Sequence, residues 1–385
     1  MYLRIGWLLV GVSLFTLSGC TAKEKANEIQ KAEIAATDQQ YESLGLARDE
    51  VAIWEDGTHT EGAEDTYEWW YVDVALEDGS SAVVIFYTRS PQNTETKLKP
   101  FATFEWTKAD GTVISDRVEI EGKDWVASTE TCDVKIGDCT IKGDLEEYEV
   151  VFKTDQVEAI FTLNSTLPSW RPETGYRLYG NQGENYAAWL CAVPDATVKA
   201  EITTKDETIN LTGSGYHDHN WGNQPIWRMQ NNWYWGRAKT ESYVMIAFNV
   251  VAAKEYGNRE FPGFLLAKDG KIIADDLNAI TFQVENEFID EQTGIPVAKK
   301  LIYDYDDGEQ KYQIAFEMKN IILSRSMLPA LSEKQKEEVT SLDYQMHYYR
   351  FIGSATVTEY EGEKIITSET TQDAIWELMF PGEVK

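Results

Sequence analysis

The residues best equipped for chemistry are crowded into one run, Gly213 to Gly222. Two of the four histidines in the 385-residue chain, His217 and His219, stand there with the carboxyl of Asp218, the amide of Asn220, the phenol of Tyr216 and the indole of Trp221. Such a density of titratable and donor groups is the pattern of a functional site. The alternative is a buried polar network that closes a sheet. Side chains of an extended run alternate between faces. His217, His219 and Trp221 then share one face, Tyr216, Asp218 and Asn220 share the other, and one of the two must look into a barrel or cleft.

The chemistry that fits is acid catalysis in an aromatic cavity. A desolvated carboxyl has a raised pKa and stays protonated near neutral pH, so it can protonate an alkene. Trp and Tyr faces then stabilise the cation without capturing it. Asp218, Glu68 and Glu377 are carboxyls beside Trp or Tyr in sequence. Trp69, Trp70, Trp221, Trp233, Trp235 and Trp376 offer the faces, and alternation sends about half of them to the core. A His-x-His pair can chelate, but Asp218 points the other way, and His59 and His347 lack matching context, so no metal or other cofactor is expected. No strand-turn-helix elbow frames Ser214. No phosphate loop or His-Glu-x-x-His motif is present.

The elements that must hold these residues are strands. Tyr67 to Leu76, Ala82 to Thr88, Phe101 to Thr107, Val113 to Glu121, Thr140 to Leu145, Tyr148 to Thr154 and Ala159 to Ser165 are short alternating runs separated by turn residues, the rhythm of a barrel or sandwich. Ser169 to Asn185 breaks that rhythm with an aromatic, glycine-bearing stretch that reads as a lid or rim. The segment Asn232 to Ala238 repeats Glu68 to Val74, each followed by a polar turn and an apolar strand, which points to a duplicated β-unit. Ser332 with Gln335 forms a capping box that opens one short helix, running toward Leu342.

The start of the chain is a targeting segment. Arg4 precedes an apolar stretch from Ile5 to Leu17, too short to span a bilayer, and Leu17 to Cys20 resembles the lipoprotein cleavage signal. Residues 1–19 are therefore expected to be a signal peptide. Cys20 is then the lipidated residue, and residues 20–50 are a helix-prone or disordered tether. The expected location is extracytoplasmic, lipid-anchored to a bacterial cell membrane. A formal charge of −30 repels nucleic acid and anionic surfaces. Cys132 and Cys139 lie in a tight hairpin, where a disulfide and two reduced thiols are both admissible.

The run from Gly215 to Asn223, with Trp233 to Arg237 after it, resembles the carotenoid 1,2-hydratase (hydroxyneurosporene synthase) and AttH-like superfamily, to which fungal lipocalin-like Diels–Alderases are similar. Glu68 to Asp73, Tyr349 to Gly353 and Ala374 to Met379 agree, so the resemblance spans roughly residues 55 to 382. It implies a mainly β protein of two lipocalin-like β-barrel or sandwich domains, residues 51–225 and 226–385, with one short helix in the second. It also implies a ligand cleft at or between them. His219 and Trp221 match a His-x-Trp pair that such hydratases use. Those enzymes also draw a Tyr and an Asp from the strand after the Trp-rich segment. Here that strand, Tyr243 to Val250, carries Asn249 and no Asp, so the acid is either lost or moved to another carboxyl.

The resulting expectation is an anchored lipoprotein that binds an apolar, isoprenoid- or polyene-like small molecule. It either hydrates, isomerises or cyclises an alkene, or carries the ligand without chemistry. Catalysis is expected from Asp218, His219, Tyr216, His217 and Glu68, and substrate binding from Trp69, Trp70, Trp221, Asn220, Trp233, Trp235 and Arg237.

Overall fold

A computed structural model describes residues 29–384. Alternating apolar residues give each strand one buried face, and the strands assemble into two large antiparallel sheets. In the first, Tyr67–Leu76, Ser81–Tyr87, Phe101–Thr107 and Val113–Glu119 run outward in order. The chain then returns through further hairpins until Thr208–Gly222 pairs with Tyr67–Leu76. The second sheet repeats the plan. Gln230–Lys239, Tyr243–Ala252, Glu260–Lys268 and Lys271–Ala274 run outward, and the closing strand Lys364–Phe380 pairs with Gln230–Lys239. The two Trp-rich segments thus occupy equivalent places, as the internal repeat implies.

Both sheets curl into half-barrels, neither closed by hydrogen bonds. Phe104 stacks on Phe152 across the first (5.2 Å between rings), and Phe264 meets Tyr305 across the second (5.6 Å). Their concave faces hold separate cores, Trp70, Val72 and Val74 in one and Tyr234, Phe351 and Trp376 in the other. The convex faces pack back to back. Trp170, Trp189, Cys191 and Tyr216 of the first lobe meet Ile246, Phe248 and Leu265 of the second. Trp170 Nε1 also donates to Asp275 Oδ2 across this seam (2.8 Å).

Three expectations change or narrow. The described part of the tether is docked rather than free. Ala32–Ile34 pairs with Tyr176–Tyr179, and Asp38–Leu44 is a helix with a Thr37–Gln40 capping box and a left-handed Gly45 (φ 71°) after it. Buried Ala32, Ala35 and Tyr41 hold the segment down. The helix within the tether is in keeping with its helix-prone composition, and the described part of the second lobe holds one α-helix, Glu333–Ser341, as expected. Of the two alternatives for Ser169 to Asn185, a lid or a rim, the stretch is a pinned rim. Trp170 bridges to Cys191, and Arg171 is pinned in a buried ion pair with Glu55 (2.7 Å). Cys132 and Cys139 are buried free thiols, and the register sets Cys132 opposite Gly143 and Cys139 opposite Ile136. Cys20 and the signal segment lie outside the described residues.

Candidate active site between the lobes

Thr208–Gly222 is flanked by Tyr67–Leu76 on one side and Asn185–Thr204 on the other. The pairing with Asn185–Thr204 slips twice, between Leu190 and Val193 and between Val193 and Ala196, where Pro194 cannot donate to the ladder. His219 stands opposite Leu190 and His217 opposite Val193, so the irregularity lies beside the histidines. The alternation read from sequence holds, and the two faces do different work.

His217, His219 and Trp221 point into the first lobe. His219 Nε2 meets Glu68 Oε1 at 2.9 Å, and its Nδ1 lies 3.4 Å from Asp56 Oδ1. His217 Nε2 meets the other oxygen of Asp56 at 3.0 Å, and its Nδ1 faces the Tyr71 carbonyl. Glu68 also accepts from the hydroxyls of Thr58 and Thr60, and Asp56 from Tyr148. Burial works against charge on His219, but the carboxylates of Asp56 and Glu68 more than offset it and hold the imidazole up at about 9. The histidines reciprocally overcome burial and hold both carboxyls below their usual range. Burial and the charge on His219 together lower His59 to about 4. Trp70 stacks on His219 (4.4 Å) and Trp221 on His59 (3.9 Å). Asp56, Cys132 and His217 have ligand-type atoms within 4.8 Å of one another, but hydrogen bonding to Asp56 already engages His217 Nε2.

This is a sealed ionic network. His217, His219, Glu68, Trp70 and Trp221, expected at the ligand site, belong instead to the core of the first lobe. The reason is their register, which turns all of them toward the concave face.

Asp218 and Asn220 face outward into a cavity of about 210 Å³ between the lobes. Asp218 accepts from Tyr216 Oη (2.8 Å), Trp189 Nε1 (3.1 Å) and Asn220 Nδ2 (2.8 Å). Burial pushes its carboxyl up to about 6, with a smaller push from Glu377; the bonds from Trp189 and Tyr216 and the nearby His217 pull the other way. The second lobe contributes Trp233, Trp235 and Glu377 to the same cavity. Glu377 accepts from Tyr348 Oη (2.8 Å) and Trp233 Nε1 (3.2 Å), and burial raises its carboxyl despite those bonds. Trp69 lines the cavity as expected. Arg237 does not; it pairs with Asp73 and ties the second lobe to the first. A wider cleft of about 950 Å³ adjoins this cavity and shares Tyr71, Tyr87, Arg325 and Tyr348 with it.

Sequence reasoning missed Asp56, Tyr148, Trp189, Tyr348 and Arg177. Trp189 sits in a uniformly apolar strand, where nothing local sets it apart from core. Tyr348 had a signal, because it adjoins the Tyr349 to Gly353 run. The cavity can hold an apolar molecule between indole faces with a carboxyl from each lobe against it. Such an arrangement delivers and removes protons.

Curated relatives match in short stretches only. The quinolone epoxide rearrangement protein penF of Penicillium thymicola is 32% identical over 89 residues, 23% of this chain and 23% of its own length. Solved structures agree in fold. CghA aligns with a TM-score of 0.57 at 14% identity, covering 83% of this chain and 89% of its own. Kievitone hydratase from Nectria haematococca aligns at 0.51 and 12% identity, covering 92% and 98%. The AttH-like family model matches residues 55–327, from the strand region that carries Glu68 through the motif and into the second sheet, and on that match the chain belongs to the AttH-like family.

Proposed function

We propose that the protein is an enzyme that acts on an apolar, alkene-bearing small molecule of isoprenoid or polyene type held between its lobes. The observation that carries this reading is the facing pair of carboxyls, Asp218 from one sheet and Glu377 from the other, both raised by burial at one tryptophan-walled cavity. The protonated Asp218 gives its proton to one alkene carbon, so a C–H bond forms as the π bond breaks. The cation lies against the faces of Trp69, Trp233 and Trp235. Water can add to it, with Glu377 taking the water proton, which is hydration. Glu377 can instead take a proton from a neighbouring carbon, or a second double bond can attack, which gives isomerisation or cyclisation. The names of two proteins similar to this chain, a hydratase and an epoxide rearrangement protein, are in keeping with such chemistry.

The test is to extract ligand retained through purification, incubate it with the protein in heavy-oxygen water, and follow it by mass spectrometry. Incorporated heavy oxygen supports hydration, and a product of unchanged mass but altered retention supports isomerisation or cyclisation. A ligand that emerges unaltered reduces the protein to a carrier.

A further inference from the structure

The cavity also holds a charge that the described residues leave unneutralised. Arg177 lines it, is only 8% exposed, forms no ion pair with a described carboxylate, and has an Nε without a hydrogen-bond partner. Gln230, 2% exposed and on the first strand of the other lobe, lines the same cavity with an unpartnered Nε2. The Tyr179 hydroxyl lies beside both, close enough to accept a hydrogen bond from each. Two buried donor groups thus converge at the cavity from two lobes with only a neutral hydroxyl, and no described carboxylate, to donate to.

A buried guanidinium without a counter-ion is costly, and this chain, at −30, has carboxylates to spare. A site that keeps one unpaired is suited to a counter-ion that arrives with the ligand. The planar fork of arginine fits a carboxylate. Arg325 also lines the cavity but is exposed, and a single buried arginine argues against a phosphate, which is usually met by a cluster of them. We propose that Arg177, with Gln230, is an anion subsite that grips a substrate carboxylate. The substrate is then a polyene or isoprenoid acid rather than a hydrocarbon. This rests on the reading of the cavity as the site of an apolar substrate. Arg177 and Gln230 line the smaller cavity and not the wider cleft. The acid then sits in the smaller cavity, with the apolar chain against Trp233 and Trp235 beside it.

Binding of all-trans-retinoic acid and its methyl ester to the full chain, read by tryptophan fluorescence, tests this. The acid is expected to bind about tenfold or more tightly than the ester, the value of a charge-assisted hydrogen bond. Arg177→Gln should bring acid affinity down to that of the ester, and Arg177→Lys should restore part of the preference. Acid preference that survives in folded Arg177→Gln removes Arg177 from the subsite. Equal affinities for acid and ester in the wild type overturn the anion subsite while the apolar cavity stands. If neither probe binds, both readings fall. The wild-type comparison needs no variant to fold.

Discussion

Asp218 and His219 are adjacent in the chain and have opposite tasks. Asp218 is a carboxyl kept partly protonated at the cavity, whereas His219 is an imidazolium locked between Asp56 and Glu68. His219→Gln should therefore lower stability by ~3–5 kcal/mol, because it takes the imidazolium from buried Glu68 and one of two imidazoles from buried Asp56; a melting temperature equal to wild type would refute this. The pH dependence has a definite sign. The folded pKa of His219, about 9, exceeds its ordinary value of 6.5, so its stabilising contribution is full below 6.5 and lost as pH rises through 9. Denaturant midpoints should fall across that window in the wild type, and His219→Gln should flatten the fall. The alternation of the motif was legible because a strand has period two. Which face was the cleft was not, because the groups that claim the histidines, Asp56 and Tyr148, come from distant parts of the chain.

At the scale of elements, the Trp-rich strands each serve a core and a cleft at once. Trp70 is buried against His219 in the first core, and Trp233 stands on the cavity wall against Glu377. Trp70→Ala should cost ~3–5 kcal/mol of stability. Trp233→Ala should leave melting nearly unchanged and weaken polyene binding by ~1–3 kcal/mol of lost apolar burial. Thermal melts and fluorescence titrations on both variants check this, and a swap of the two phenotypes would reverse the assignment of faces. Most strands, and the Ser332 cap, were readable from alternation, turn residues and capping chemistry. The helix Asp38–Leu44 carried the same kind of signal in Thr37, Gln40 and Gly45, but the surrounding Ala, Glu and Lys residues gave it the look of a free tether. The pinned stretch after Ser169 was illegible because its anchors, Glu55 and Cys191, are remote in sequence.

The whole molecule is two repeats of one curled sheet, joined back to back by an apolar seam that also contains the site. Trp170 to Asp275, Arg237 to Asp73 and Lys239 to Asp195 cross that seam. The lobes should therefore unfold in one cooperative transition, and calorimetry that resolves two separate peaks would contradict a shared core. The duplication was visible in sequence as Glu68 to Val74 against Asn232 to Ala238, whereas the back-to-back packing depends on contacts between distant strands. Anchoring remains a separate proposal. Cys20→Ala should move the protein from the membrane to the soluble fraction, and unchanged membrane retention would reject lipidation there.

The central claim is that Asp218 delivers the proton in the inter-lobe cavity. The most direct measurement is the rate at which wild type and Asp218→Asn transfer solvent deuterium to the retained ligand as a function of pH. A general acid with a pKa of about 6 predicts a wild-type rate that falls as pH rises through 6. It also predicts an Asp218→Asn protein that melts like wild type and transfers no label. A well-folded Asp218→Asn variant that labels the ligand at the wild-type rate, with the same pH profile, would contradict it.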